Sequence, residues 1–160
     1  MATTRSRTPE FPAGLVWFNV DAPVRLTEQL GRVVLLNFCA FSSIACRRIQ
    51  VDLDYLGNKY RKDLLILGVH SPRYPGEAGA VHLRQSIDKH RVAYPVLHDP
   101  ELQLWHTYGI NSRPTQVLID RDGYIVGALS GVGKLDRLEQ VIRYQCGKRS
   151  RIPPRAVLPA

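Results

Sequence analysis

The apolar segment over residues 32–38, which Asn37 alone interrupts after Arg32, constrains the fold more than any other feature of this sequence. Strands buried on both faces of a sheet have such a composition, whereas strands with one solvent face alternate. A second run of this kind covers residues 64–69. Between the two, Cys46, Ile49 and Leu53 recur at helical spacing, and this pattern predicts a helix with one buried face. Strand, helix and strand in this order predict an α/β domain with parallel strands.

The rest of the chain continues the alternation of strands and helices. The predicted elements are a helix over 77–91, a brief strand over 94–97, a short helix over 102–108 closed by Gly109, a hairpin of 115–120 with 124–129, and a last helix over 135–144. We therefore expect a central mixed β-sheet flanked by helices on both faces.

The length of 160 residues, of which 44% are apolar, suits one compact domain. Polar, proline-containing stretches lie at both ends of the sequence. We expect an N-terminal arm over 1–14, a domain over 15–146, and a basic, proline-rich tail over 147–160.

Composition disfavours several classes of protein. The net charge is +8, but the densest basic cluster, at residues 148–151, contains no aromatic residue. We interpret it as a solvated tail and expect no nucleic-acid partner. No apolar stretch is long enough to span a membrane, and no secretory signal is apparent. Three cysteines are too few for a disulfide scaffold, so the expected location is the cytoplasm.

Several short motifs occur in order over residues 9–145. They are Pro9-Glu10-Phe11-Pro12 with Trp17, the strand 31–38, Leu67-Gly68-Val69-His70-Ser71, Tyr94-Pro95-Val96, Trp105 with Tyr108-Gly109-Ile110, Arg113-Pro114-Thr115, and Leu118-Ile119-Asp120-Arg121-Asp122-Gly123. Together they resemble the thioredoxin-like proteins, in the redoxin branch that includes the N-terminal domain of NHL-repeat-containing proteins. The resemblance implies a thioredoxin fold.

In that family a Cys-x-x-Cys pair begins the helix after the first long strand. Its first cysteine attacks a disulfide, its second resolves the mixed disulfide, and a proline, commonly cis, faces the pair. The resemblance places Ser43 at the attacking position, Cys46 at the resolving position and Pro114 at the facing proline. Arg113 and Thr115 flank that proline and are candidate substrate-binding residues.

Serine at position 43, where the family has its attacking cysteine, changes the chemistry that the resemblance implies. A serine hydroxyl cannot form a mixed disulfide, so a protein with Ser43 at this place is either redox-inactive or uses Cys46 alone. Cys46 has two interpretations: a small buried hydrophobic residue, or a thiolate favoured by the helix start with Arg47, Arg48 and Arg113. The Ser43-x-x-Cys46 spacing also resembles the Thr/Ser-x-x-Cys of peroxiredoxins.

The other cysteines and the histidines leave fewer choices. A disulfide between Cys39 and Cys46 is a further possibility, since a strand end and the next helix turn lie close. Cys146 is expected to be a free thiol at the end of the last helix. His70 is interpreted as a hydrogen-bonded histidine near a strand end. The remaining histidines lack metal-site spacing, so no metal and no cofactor are expected.

Two functions follow from these expectations. The first is a binding or assembly module whose protein or peptide partner docks around Ser43 and Pro114. The alternative is a thiol-disulfide oxidoreductase or a peroxiredoxin-like antioxidant enzyme that uses Cys46. A third explanation is that Ser42 and Ser43 are engineered replacements in an ordinary Cys-x-x-Cys protein. The sequence leaves the oligomeric state open.

Overall fold

A computed structural model of the protein describes residues 5–151. Six strands and four α-helices follow one another along it. They are β1 (Trp17–Phe18), β2 (Val33–Cys39), α1 (Ile44–Lys59), β3 (Leu64–His70), α2 (Ala80–Lys89), β4 (Val96–His98), α3 (Gln103–Thr107), β5 (Thr115–Ile119), β6 (Ile125–Ser130) and α4 (Leu135–Gly147), with short 3-10 helices at Leu26–Gln29 and Pro75–Glu77.

The strands form one mixed sheet in the order β1-β4-β3-β2-β5-β6. Strands β2, β3 and β4 are parallel, as helical crossovers require, and β5 and β6 form an antiparallel hairpin beside β2. The fold is therefore the predicted α/β thioredoxin fold.

Alternate residues of β2 face two separate apolar layers, because successive side chains of a strand point to opposite faces. Val33, Leu35 and Cys39 pack with the buried faces of α1, α2 and α4. Val34, Leu36 and Phe38 pack against the layer that contains α3 and the Leu26–Gln29 turn. Both faces of β2 are buried, which explains why its sequence does not alternate.

Two elements differ from the prediction. Strand β1 was not predicted; it pairs with β4, with Trp17 opposite Leu97. Helix α2 begins at Ala80 rather than at Glu77, because Pro75–Glu77 form a separate 3-10 turn. Leu83 and Ile87 form the buried face of this helix, whereas Val81 is exposed.

Part of the expected N-terminal arm contacts the domain. The Glu10 carboxylate accepts hydrogen bonds from the backbone N–H groups of Leu26 and Thr27, and the Phe11 ring meets Trp17 edge-on at 5.4 Å between centroids. The division into arm, domain and tail stays a prediction, and its residues 1–4 and 152–160 lie outside the described part. No helix among residues 5–151 combines the length and apolar character needed to cross a membrane.

Candidate functional site

The predicted site residues gather at one edge of the sheet. Strands β2, β3 and β4 all end there because they are parallel, and ligand sites in open α/β sheets commonly form at this edge. Phe38 lies opposite Thr115 in the register, so Pro114 comes to the edge where β2 ends. The peptide bond between Arg113 and Pro114 is cis, as the resemblance implied.

Ser43 is the N-cap residue of α1, directly before Ile44. Its backbone is extended and its carbonyl accepts the first helical hydrogen bond from Arg47, at 3.1 Å. The Ser43 side chain makes no capping hydrogen bond, although serine is a favoured residue at this position. The first turn also contains no acidic residue, so the partial positive charge of the helix start has no carboxylate in that turn.

The sulfur atoms of Cys39 and Cys46 form a disulfide in this structure. It joins the last residue of β2 to the first turn of α1, and the two Cα atoms are 5.8 Å apart. The pairing that the sequence left open is therefore present. Cys39 is fully buried and Cys46 is 5% exposed. Cys146 is a half-buried free cysteine, and burial raises its pKa.

A buried amide lies beside the Cys39 sulfur. Asn37 precedes Cys39 by two residues on β2, so both side chains point to the α1 face. The Asn37 Oδ1 accepts a hydrogen bond from Gln116 Nε2 at 2.9 Å, and its Nδ2 lies 3.4 Å from Cys39 Sγ. The Asn37 Nδ2 is the nearer of the two amide atoms to the sulfur, since Oδ1 lies 3.7 Å from Cys39 Sγ.

The loop before α1 is tied to the segment after β3. The Ser42 hydroxyl donates to the Glu77 carboxylate, which also accepts the backbone N–H of Arg73 at 2.8 Å and of Tyr74 at 3.3 Å. Burial by itself would raise the Glu77 pKa, but these hydrogen bonds hold it below its ordinary value. An ionised Glu77 therefore joins the two loops at neutral pH.

His70 is a structural histidine in a buried place. The Phe41 N–H donates to its Nδ1 at 3.2 Å, so the proton is on Nε2, which donates to the Glu77 carbonyl at 3.0 Å. Burial, with a smaller contribution from the neighbouring His98, lowers its pKa to about 4, against the raising effect of its hydrogen bond to the Glu77 carbonyl. The expectation of a hydrogen-bonded histidine is confirmed. Among residues 5–151, no group of three or more potential metal ligands comes together.

Arg113 fixes the backbone beside the site. Its Nε donates to the Ser71 carbonyl at 2.7 Å, and its Nη2 donates to the Pro72 carbonyl at 3.0 Å. The guanidinium carbon lies 3.8 Å from the centre of the Trp105 ring, a cation–π distance. Burial, with repulsion from Arg73, lowers the Arg113 pKa. These contacts hold the guanidinium against Trp105 and the segment after β3.

Thr115 is buried, and its hydroxyl is already used inside the protein. It donates to the Ser112 carbonyl at 2.9 Å and lies 2.7 Å from the Ser130 hydroxyl. These bonds hold the turn before Pro114 against the end of β6.

Sequence reasoning missed three residues of this edge. Asn37 had a detectable signal, since a lone polar residue in a buried strand needs a partner. Asp99 follows β4 and accepts backbone hydrogen bonds from Leu104 and Trp105, which begin α3. It lies three residues before Leu102, where the predicted short helix begins, and an aspartate just before a helix could have identified it. Glu77 gave no such signal, because its contact with Ser42 joins two distant loops.

Comparison with known proteins agrees with this geometry. The AhpC/TSA family matches residues 6–128 of the chain. Protein SUPPRESSOR OF QUENCHING 1, chloroplastic, of Arabidopsis thaliana is 32% identical over 142 residues, which are 87% of this chain and 13% of that protein. NHL repeat-containing protein 2 of Homo sapiens is 32% identical over 133 residues, which are 81% of this chain and 18% of that protein.

The chain thus spans less than a fifth of the length of these two relatives. Among solved structures, the pneumococcal exposed lipoprotein thioredoxin Etrx1 of Streptococcus pneumoniae superposes with a TM-score of 0.71 at 28% identity. That alignment covers 85% of this chain and 99% of Etrx1. The resemblance to thioredoxin-like proteins is confirmed, and the chain belongs to the AhpC/TSA family.

Proposed function

We propose that this domain is a thioredoxin-like binding or assembly module that does not perform Cys-x-x-Cys disulfide exchange. The observation that carries the proposal is Ser43 at the N-cap of α1, with the sulfur of Cys46 buried and bonded to Cys39. Exchange by the family route requires a thiolate at the helix start and a free second thiol to resolve the mixed disulfide. Neither group is present in this arrangement.

The partner we propose is an extended peptide segment of another protein, docked around Ser43 and Pro114. Two large apolar side chains are exposed near this position: Ile44, the first residue of α1, is 63% exposed, and Tyr74 is 62% exposed. The segment that carries Tyr74 is anchored to the loop before α1 through Glu77. Apolar side chains on anchored loops favour binding, because little conformational entropy is lost when a partner docks. The proposed location remains the cytoplasm.

The second candidate function, chemistry at a single reactive Cys46 thiol, has less support. A peroxidase or one-cysteine reductant needs an accessible thiolate, and Cys46 is 5% exposed and bonded to Cys39.

Insulin reduction driven by dithiothreitol tests the loss of the exchange reaction. The Cys39→Ala protein, which keeps Ser43 and leaves Cys46 unpaired, is expected to give no turnover above the uncatalysed rate. In this Cys39→Ala background, Ser43→Cys is expected to create turnover. Ser42→Cys in the same background is the matched control, because it adds a thiol one residue outside the helix start. Robust turnover in Cys39→Ala itself, or equal gains from the two variants, would contradict the proposal.

The docking surface is tested by NMR with the reduced, alkylated insulin B chain as an extended peptide probe. Shift changes are expected at the backbone amides of Ser43, Ile44 and Tyr74, and at Arg113 beside Pro114. Tyr144, which is exposed on α4, serves as the reference position away from the site. Changes centred on α4, or none around Ser43, would count against the proposed surface.

A further inference from the structure

We infer that Cys39 and Cys46 form a reversible dithiol–disulfide couple, in which an external thiol attacks Cys46 and Cys39 is the leaving group. The pair is separated by seven residues and joins a strand end to a helix start. This site is distinct from a Cys-x-x-Cys arrangement, because the attacked sulfur is in the first turn of α1 and its partner lies on β2. The inference does not depend on a peptide occupying the surface proposed above.

The two sulfurs differ in access. Cys39 is fully buried within the layer between the sheet and the helices, whereas Cys46 keeps 5% of its area exposed. Cys46 follows three residues that are all exposed or half-buried, Ser43, Ile44 and Ala45. An incoming thiolate therefore reaches Cys46 first, since access decides which sulfur of a disulfide is attacked.

The surroundings of Cys39 suit a leaving group. The Asn37 N–H group that faces Cys39 Sγ at 3.4 Å can donate to the thiolate that forms when the bond breaks. A hydrogen bond to the charged form favours that form, and the thiol with the lower pKa leaves faster. Because Asn37 is neutral, it does not repel the developing negative charge.

The surroundings of Cys46 suit the second half of the reaction. Cys46 is the third residue of α1, where backbone N–H groups lack partners within the helix. The first turn contains no acidic residue, and the Ser43 side chain does not cap it. A Cys46 thiolate released at this place is favoured by the partial positive charge of the helix start.

The reaction balances with a dithiol as the reductant. One thiolate of the reductant attacks Cys46 Sγ, the Cys39–Cys46 bond breaks, and Cys39 leaves as a thiolate and takes up a proton. The second thiol of the reductant loses its proton and attacks the reductant's own sulfur in the mixed disulfide. Cys46 is released as a thiolate and is protonated. Two electrons and two protons pass from the reductant, which becomes a disulfide, to the protein.

The first experiment measures reversibility in Cys146→Ser, which retains only the two cysteines of the couple. The protein is equilibrated in native buffer with mixtures of reduced and oxidised dithiothreitol, quenched by alkylation and weighed by mass spectrometry. Two alkyl groups are expected to appear together as the reductant fraction rises and to be lost on reoxidation, with an unchanged far-UV circular dichroism spectrum. Absence of the bond in oxidised protein, or a bond that opens only in denaturant, would overturn the inference.

The second experiment identifies the attacked sulfur. Cys39→Ser and Cys46→Ser are each made in the Cys146→Ser background, and the remaining thiol is reacted with oxidised glutathione. Cys46 in the first variant is expected to form the mixed disulfide about tenfold faster than Cys39 in the second. Equal rates, or faster reaction at Cys39, would refute the assignment. Circular dichroism spectra of both variants establish that each thiol is compared in a folded protein.

Discussion

The Ser42 hydroxyl donates a hydrogen bond to the Glu77 carboxylate and thereby ties the loop before α1 to the segment after β3. Glu77 also accepts two backbone N–H groups of that segment, from Arg73 and Tyr74. The Glu77 side chain thus connects its own segment to Ser42, which lies 35 positions earlier in the sequence. The segment that carries Tyr74 depends on it more than on any apolar contact of its own, since residues 73–76 are exposed.

Replacing Glu77 with alanine is expected to loosen this segment. The substitution leaves two backbone N–H groups and the Ser42 hydroxyl without their acceptor, at a cost of about 1–2 kcal/mol in the free energy of unfolding. Hydrogen exchange followed by mass spectrometry should show faster exchange in peptides covering residues 71–79. Glu101→Ala, at an exposed glutamate outside the segment, is the matched control. Unchanged exchange in Glu77→Ala would show that the carboxylate does not order the segment.

His70 predicts an acid-dependent loss of stability. Its pKa in the folded protein is about 4, below the ordinary value of 6.5, so the folded state binds this proton more weakly than the unfolded state. The contribution of a neutral His70 to the free energy of unfolding is therefore fully present above pH 6.5. It is lost as the pH falls towards 4, to a total of about 3 kcal/mol. Urea denaturation across this pH range should show that the free energy of unfolding declines less steeply in His70→Gln than in wild type. Parallel declines would contradict a buried, neutral His70.

From the contacts of Arg113 we expect that lysine cannot replace arginine at this position beside Pro114. Arg113 makes two hydrogen bonds through a planar guanidinium that also stacks on Trp105, and a lysine ammonium cannot reproduce this geometry. Arg113→Lys is expected to lower the free energy of unfolding by about 2 kcal/mol and to change the tryptophan fluorescence. Arg73→Lys, at an exposed arginine nearby, is the control and should leave both quantities unchanged. A silent Arg113→Lys would show that these contacts contribute little.

Asn37 predicts how the disulfide responds to a nearby charge. Asn37→Asp places a carboxylate next to Cys39 Sγ, where it would repel a developing thiolate. We expect reduction by dithiothreitol to slow by about tenfold, measured by alkylation at timed intervals. Asn58→Asp, at an exposed position near the other end of α1, adds the same charge away from the sulfur. Equal rates in the two variants would mean that Asn37 does not influence the leaving group.

The long buried elements could be predicted from sequence because burial determines their composition. Strand β2 is apolar except for Asn37 because both of its faces are covered, and α1 shows a clear helical period. Strand β1 could not be predicted: its two residues, Trp17 and Phe18, are too few for a period, and pairing with β4 defines it. The start of α2 was wrong because Glu77 lies in a turn stabilised by its own side-chain bonds.

The candidate site was predictable in position but not in its contacts. Ser43, Cys46 and Pro114 reach one sheet edge because the connections of the fold bring them there. The bond between Cys39 and Cys46 depends on the distance between a strand end and a helix turn, which residue types alone do not specify. The bonds of Arg113 to Ser71 and Pro72 likewise depend on packing between loops that are 41 or more residues apart in sequence.

Because Cys39 and Cys46 are bonded, Ser42 and Ser43 lie within a small covalent ring made from the backbone and the two sulfurs. Opening that ring adds conformational freedom to the same residues that carry the proposed docking surface. Thermodynamic linkage then acts in both directions: a partner that prefers the closed ring resists its reduction by the same factor by which reduction weakens the partner's affinity. The oxidation state of the two cysteines and occupancy of the surface are thus coupled through eight consecutive residues.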